Sequence, residues 1–439
     1  MRIGVVGTGY VGLTTGACLA SLGHVVVCGD IDPRKVEVLN GGGVPIVEAG
    51  LEALVAESRA AGRLSFVVGS VAAAADADVV FLCVPTPQGE DGSADLTYIE
   101  AAAGQIAESL RPGAVVVNKS TVPVGSTRVV ERALGRADVP VVSNPEFLRE
   151  GTAVHDFLHP DRVVIGSADT AAAERVAALY APLGAQVQIT DPASAETIKY
   201  AANGFLAMKI SFVNAVAAMC EAVGADVAAV VDGIGSDQRI GHAFLNPGPG
   251  WGGSCFPKDS RALVKIAEDH GYDFSMMRGV IDVNDEQRAR MIDKIGRAAG
   301  RPDGTDLSGV TVGALGLTFK AGTDDLRESP ALSIIDEIRS RGGAVRGFDP
   351  TTTSIAAGQV DDHRAERLAG IEVVDDPYTS VTDVDVVAVF TEWPEFAKLD
   401  LARIAAAAGP ATTIVDTRNL LDPDEVRAAG LDYDGVGRR

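Results

Sequence analysis

No stretch of the 439 residues reaches the ~20 uninterrupted apolar residues of a membrane span, and the opening MRIGVVGTGYVG has neither a basic leader nor a small-residue cleavage site. We therefore expect a cytoplasmic protein with no membrane partner. Basic residues are in deficit: 38 Lys and Arg stand against 60 Asp and Glu, a formal net charge of −22. General attraction to phosphate backbones is thereby disfavoured and no nucleic-acid partner is expected, although a local basic pocket can still hold a small anion. The five cysteines are odd in number and widely spread, with no CxxC or HExxH pattern. That excludes a disulfide framework, gives no metal site, and points to a reducing compartment.

What is present is ordinary globular material, 46% hydrophobic and 22% charged, long enough for two or three domains. Short β-branched runs alternate with alanine-rich helical stretches in the first and last thirds, the pattern of strands buried on both faces by crossover helices. The thirds echo each other. Ile3–Gly7 (IGVVG) resembles Val312–Gly316 (VGALG), and the run ending at Asp30 resembles the one ending at Asp349. Between them, roughly Ser194 to Cys220 is free of proline and carries apolar residues at helical spacing on more than one face. The expected fold is α/β: two Rossmann-like doubly wound domains joined by a long central helix. We place the first domain at 1–193, a central helical dimerisation region with the cysteine loop at 194–300, and the second Rossmann-like domain at 301–439.

Gly7-Thr8-Gly9-Tyr10-Val11-Gly12 follows the first strand and opens a helix, with Asp30 ending the next strand. The first glycine permits the turn, the second lets backbone approach a pyrophosphate, and the third allows close helix packing. Asp30 suits the ribose hydroxyls and repels a 2′-phosphate, which favours NAD over NADP, with Lys35 close enough to complicate the choice. Asp32, before Pro33, fits a helix cap better. Thr86 in VPTP, and Ser120 and Thr121 in NKSTVPVGST, sit at further strand ends where such folds bind ligand.

Pro247–Asp259 (PGPGWGGSCFPKD) sets Cys255 in a glycine-rich loop with Lys258 and Asp259 beyond it. Glycines let backbone amides close on a ligand, and a lysine stabilises the reactive thiolate. A dehydrogenase with such a cysteine can oxidise an alcohol to an aldehyde, trap it as a thiohemiacetal, oxidise that to a thioester and hydrolyse it to an acid. Acid–base candidates lie in NPEFLREG (144–151) and in ETIKYAAN, where Lys199 and Asn203 share one helix face. Cys18, Cys28, Cys83 and Cys220 fall in apolar patterns as buried thiols.

Together GTGYVGL, VPTP, STVPVGS, NPEFLREG, KYAAN, RIGHAFLNPGPGWGGSCFPKD and FKAGTDDLRESP resemble the UDP-glucose/GDP-mannose dehydrogenase family over nearly the whole chain. The resemblance implies NAD-dependent four-electron oxidation of UDP-glucose to UDP-glucuronate through a Cys255 thioester, with two NAD+ per turnover; GDP-mannose and UDP-N-acetylmannosamine are the alternative substrates. It implies catalytic roles for Cys255, Thr121, Glu146, Lys199, Asn203 and Asp259, with Glu146 serving acid–base steps. For the cofactor it adds Val11, Lys35, Thr86, Thr121, Glu150, Lys258 and Arg327 to the glycine loop, Tyr10, Ser120 and Asp30. For the sugar nucleotide it implies Phe147, Leu148, Arg149, Glu150, Lys199, Asn203, Arg239, Phe244, Leu245, Asn246, Pro247, Gly248, Gly252, Lys320 and Arg418. It further implies a homodimer in which Arg239 reaches a neighbouring subunit's site. From the residues alone, Lys320 and Arg327 would be a solvated loop paired with Asp324, Asp325 and Glu328.

Overall fold

A computed structural model describes residues 1–89, 91–351, 362–409 and 411–438. The chain folds as two compact units, Met1–Ala202 with Arg261–Tyr272, and Asn203–Ser260 with Asp273–Arg439.

The first unit holds an eight-stranded sheet in the order β3-β2-β1-β4-β5-β6-β7-β8. Its strands are β1 (Arg2–Val6), β2 (Val25–Asp30), β3 (Leu64–Val68), β4 (Val79–Leu82), β5 (Val115–Asn118), β6 (Val141–Ser143), β7 (Val163–Gly166) and β8 (Val187–Thr190). All neighbours run parallel except β6 and β7. The valine-rich strands need cover on both faces, and two apolar clusters supply it, one around Val5, Leu13, Phe81 and Val117 and the other around Val80, Ile99, Ile106 and Val116. The order reverses at β1/β4, so the polar loops after β1, β4 and β5 share the edge where doubly wound sheets bind ligand.

The second unit repeats the plan with six strands in the order β11-β10-β9-β12-β13-β14, all parallel. They are β9 (Thr311–Leu315), β10 (Ala344–Phe348), β11 (Glu372–Val373), β12 (Val386–Val389), β13 (Thr413–Asp416) and β14 (Asp432–Gly435). The echoed segments occupy equivalent places: Gly7 and Gly316 follow the first strand of their sheets with φ of 96° and 97°. Asp30 accepts from the amide and hydroxyl of Thr8, and Asp349 accepts from those of Thr318. Asp349 Oδ2 also accepts from the Leu317 amide and the Trp393 indole, and its Oδ1 from the amide and hydroxyl of Thr351.

The central helix spans Pro192–Val223. Its inner positions, among them Ala195, Tyr200, Ala207, Val213, Ala217 and Cys220, are fully buried or nearly so, while Phe205, Phe212, Met219 and Val223 are 58%, 56%, 55% and 70% exposed. By length and composition alone it could cross a membrane. It also carries Glu196, Lys199, Asn203 and Asn214, all buried and hydrogen-bonded within the fold, as a core helix does.

Part of the acidic surplus has a local use. Asp32, Asp169, Asp226, Asp376, Asp400 and Asp422 each cap a helix by accepting amides of its first turn, where the helix dipole favours negative charge.

Candidate active site

In the first unit, the three glycines after β1 differ in the room around them. A Cβ on Gly7 would lie 2.6 Å from the Cys83 carbonyl oxygen, and one on Gly12 would overlap the Gly7 carbonyl, whereas nothing lies within 4 Å of one on Gly9. Gly9 therefore leaves its backbone open to a pyrophosphate at the N-terminus of helix Tyr10–Ser21. Asp30 Oδ1 accepts from the Asp32 amide at 3.0 Å. Burial pushes its carboxyl up, but the Asp32 and Thr8 donors and nearby Lys35 outweigh that and hold it below its ordinary value. The residues present thus fit a dinucleotide: a bare loop for the phosphates and an ionised acid for ribose hydroxyls.

The loops after β4 and β5 are tied together. Thr86 Oγ1 donates to the Thr121 carbonyl at 2.9 Å, and Ser120 Oγ to the Val84 carbonyl at 2.7 Å. Tyr10 donates its hydroxyl to Glu48, which also accepts the amides of Gly151 at 2.6 Å and Ala153 at 2.7 Å. Glu48 thereby fastens the NPEFLREG loop to the glycine loop.

Within NPEFLREG, Glu146 Oε1 accepts from Lys199 at 2.9 Å and Oε2 from the Leu148 amide at 2.6 Å. Burial pushes this carboxyl up, but Lys199, that amide and the charge of Lys119 more than offset it, and its pKa lies below the ordinary value. The Phe147 ring is faced by two cations, Arg162 at 4.0 Å and Lys199 at 5.5 Å from its centroid. Arg149 turns its guanidinium onto Asp156 instead, at 2.7 and 2.9 Å. Glu150 is buried.

In the second unit, Cys255 is half-buried immediately before helix Phe256–Asp269, and its carbonyl accepts the Asp259 amide at 3.0 Å. The helix N-terminus favours negative charge there, the condition a thiolate needs. The Ser254 hydroxyl lies 3.6 Å from its sulfur. Asp259 is fully buried; Oδ2 accepts from Asn203 at 2.6 Å and Oδ1 from Lys258 at 2.5 Å.

The cysteine loop is shaped from beneath by groups that sequence reasoning missed. Asn214 accepts the Gly248 amide at 2.8 Å, Gln287 donates to the Gly248 carbonyl at 2.7 Å, and Asn284 accepts the Trp251 amide at 2.7 Å. Ser211 takes the Trp251 indole at 2.9 Å. A Cβ on Gly252 would overlap the Glu328 carbonyl, so only glycine fits. The Arg418 guanidinium would lie 3.6 Å from a Cβ on Gly248; it donates to the carbonyls of Phe390 and Phe319 and pairs with Glu392. Lys320 lies over the Phe319 ring at 5.6 Å. Phe244 holds a left-handed φ of 63°, the kind of backbone strain that gathers at functional loops, and its ring lies 6.2 Å from that of Phe256. Leu245 is buried, Pro247 half-buried and Asn246 exposed. Arg239 and Arg327 are exposed and paired with Asp237 and Asp325, as local charge pairing would have it.

Three profiles of the UDP-glucose/GDP-mannose dehydrogenase family match the chain: the NAD binding domain over residues 1–184, the central domain over 193–286 and the UDP binding domain over 313–423. The chain belongs to this family. It is 45% identical to a UDP-glucose 6-dehydrogenase of Rhizobium meliloti, covering all of both chains. Identity to UDP-glucose 6-dehydrogenase TuaD of Bacillus subtilis is 43%, over 100% of this chain and 93% of that one. Among solved structures, a UDP-glucose dehydrogenase from Pyrobaculum islandicum superposes with a TM-score of 0.90 at 37% identity, over 100% of this chain and 98% of that one. The family's cofactor is NAD, and the glycine loop with Asp30 lies within its NAD-binding domain.

Proposed function

We propose that the protein oxidises the C6 alcohol of UDP-glucose to the carboxylate of UDP-glucuronate, in two oxidations and one hydrolysis. What carries the reading is Cys255: a half-buried thiol at a helix N-terminus, in a glycine loop that the side chains of Asn214, Gln287, Asn284 and Ser211 hold in shape, in a chain whose close relatives bear the name UDP-glucose 6-dehydrogenase.

The Gly7–Gly12 loop, Asp30 and Lys35 would hold NAD, which would supply the hydride acceptor for both oxidations. The protein's own groups do the rest. The alcohol loses its proton as it becomes an aldehyde; Lys199 and Asn203 stabilise the oxyanion charge that develops. The Cys255 thiolate adds to the aldehyde, forming a C–S bond, and the carbonyl oxygen takes a proton to give a thiohemiacetal. Its oxidation leaves a thioester. Glu146, held ionised, takes a proton from the water that breaks the C–S bond and returns the thiol. Asp259, carrying Asn203 and Lys258, positions the donors on its side. Thr121 joins the catalytic set, and Thr86, Ser120, Glu150, Lys258 and Arg327 the cofactor set. Gly248, Gly252, Lys320 and Arg418 suit the nucleotide, with 1–193, 194–300 and 301–439 as cofactor, dimerisation and UDP-sugar parts.

The exposed apolar stripe at Phe205, Phe212, Met219 and Val223 supports a homodimer formed through the central helix, leaving the exposed Arg239 available to a neighbouring subunit. Four buried thiols and the half-buried Cys255 suit a reducing cytoplasm.

The test is NADH formed per limiting UDP-glucose, beside GDP-mannose and UDP-N-acetylmannosamine, for the wild type and Cys255→Ser. Two NADH from UDP-glucose alone, and loss of full turnover in the serine variant, are expected. One NADH, or an active Cys255→Ser enzyme, overturns the thioester route; two from a rival sugar moves the substrate.

A further inference from the structure

Lys119, directly after β5, is 4% exposed and buried within the first unit. Its ammonium donates to Asn144 Oδ1 at 3.2 Å and to the Tyr180 hydroxyl at 3.3 Å, and it lies 6.0 Å from the Phe157 ring centroid and 5.6 Å from that of Tyr180. Among the described residues no carboxylate comes within 4.0 Å of it, although 60 of the chain's residues are acidic. A buried cation without a salt bridge is costly, and methionine or leucine would fill the same space without that cost.

The surroundings suggest what the charge does. Asn144, whose side chain also donates to the Val164 carbonyl at 2.7 Å, stands two residues before Glu146. Glu146 feels the charges of both Lys199 and Lys119, and the two lysines oppose each other. One buried carboxylate therefore sits in the field of two buried ammonium groups. We propose that Lys119 is a positioning residue for Glu146: through Asn144 it anchors the loop that carries the carboxylate, and through its charge it sets the pH range in which the Glu146–Lys199 pair is in its working ionisation state.

The inference rests on the acid–base role assigned to Glu146 above. The direction of the effect is fixed by electrostatics. A neighbouring positive charge favours an ionised carboxyl, so it lowers the pKa of Glu146. Removing it moves that pKa upward. Burial pulls Lys119 itself down to about 8, with Glu146 and Cys83 opposing and Lys199 assisting. The other titratable groups facing it, Cys83 and Tyr180, stay neutral in that range, because burial pushes the thiol to about 12 and the phenol higher still. Lys119 is thus the member of the cluster that changes charge near pH 8, and the pair next to it senses that change.

Two substitutions bracket the wild type. Lys119→Met removes the charge at every pH, and Lys119→Arg keeps it at every pH, since a guanidinium does not deprotonate in this range. In pH profiles of kcat/KM for UDP-glucose, the acid limb of Lys119→Met should move up by about one pH unit. Lys119→Arg should match the wild type below pH 8 and lack its inflection near 8. If the methionine variant does not fold, the arginine profile alone decides. Three profiles that superimpose after scaling for height overturn the proposal, because loss of packing lowers activity without moving limbs. Glu146→Gln separates the two readings: an unchanged acid limb in that variant removes Glu146 from its assigned role, whatever Lys119 does.

Discussion

Lys199 Nζ meets Glu146 Oε1 at 2.9 Å with the two side chains 4% and 5% exposed. Breaking a buried pair leaves one charge in low dielectric, so Glu146→Gln and Lys199→Met should each cost about 3–5 kcal/mol. The double variant should cost less than the sum by about 1 kcal/mol or more. Urea denaturation of the three variants checks this; additive losses would mean the pair is not coupled.

The same pair makes stability depend on pH. The Glu146 pKa is lowered from its ordinary 4.5, so folding binds fewer protons there than unfolding does. The pair's contribution is whole above pH 4.5 and is lost as pH falls from there through the folded value. The gap in denaturation midpoint between wild type and Glu146→Gln should therefore narrow below that pH. A gap constant down to pH 3.5, an acidity of about tenfold more protons, contradicts the assignment.

Gly9→Ala and Gly12→Ala should fail differently. At Gly9 a methyl meets no protein atom, so the variant should keep its melting temperature while NAD affinity, read by calorimetry, falls about tenfold or more. At Gly12 the methyl overlaps the Gly7 carbonyl and crowds Cys83, and the expected loss is about 1–3 kcal/mol of stability. Equal melting points for the two variants would remove the distinction.

Phe212→Glu places a charge in the middle of the exposed stripe, and Phe205→Glu near one end. Each should shift sedimentation toward the monomer mass of 45.3 kDa without unfolding the chain. Unchanged sedimentation in both variants would contradict the dimer proposed through the central helix.

Much of the framework was legible because its signals are local. Runs such as VVVCGD and VVFL, the glycine turn with Asp30, and a long helix without internal proline declare themselves from local signals. The supports of the site do not. Glu48 reaches Ala153 across 105 residues, Asn284 reaches Trp251 across 33, and Lys119 meets Tyr180 across 61. An isolated Glu or Asn in a helical run carries no mark of the amide it will accept. The central helix looked apolar on more than one face, and its sequence did not mark which of them, the one bearing Phe205, Phe212 and Met219, stays exposed.

Asp30 ends β2 and Asp349 directly follows β10, yet the two carboxylates have different fates. Asp30 has three hydrogen bonds from the protein, and an oxygen with acceptor capacity to spare. Asp349 takes four donors on Oδ2 and two on Oδ1, one of them an indole, and is entirely enclosed. A saturated acceptor offers nothing to an arriving sugar hydroxyl. Two near-identical berths thus acquire different tenants by subtraction: the second keeps the architecture of a ribose reader and has silenced its voice with Trp393.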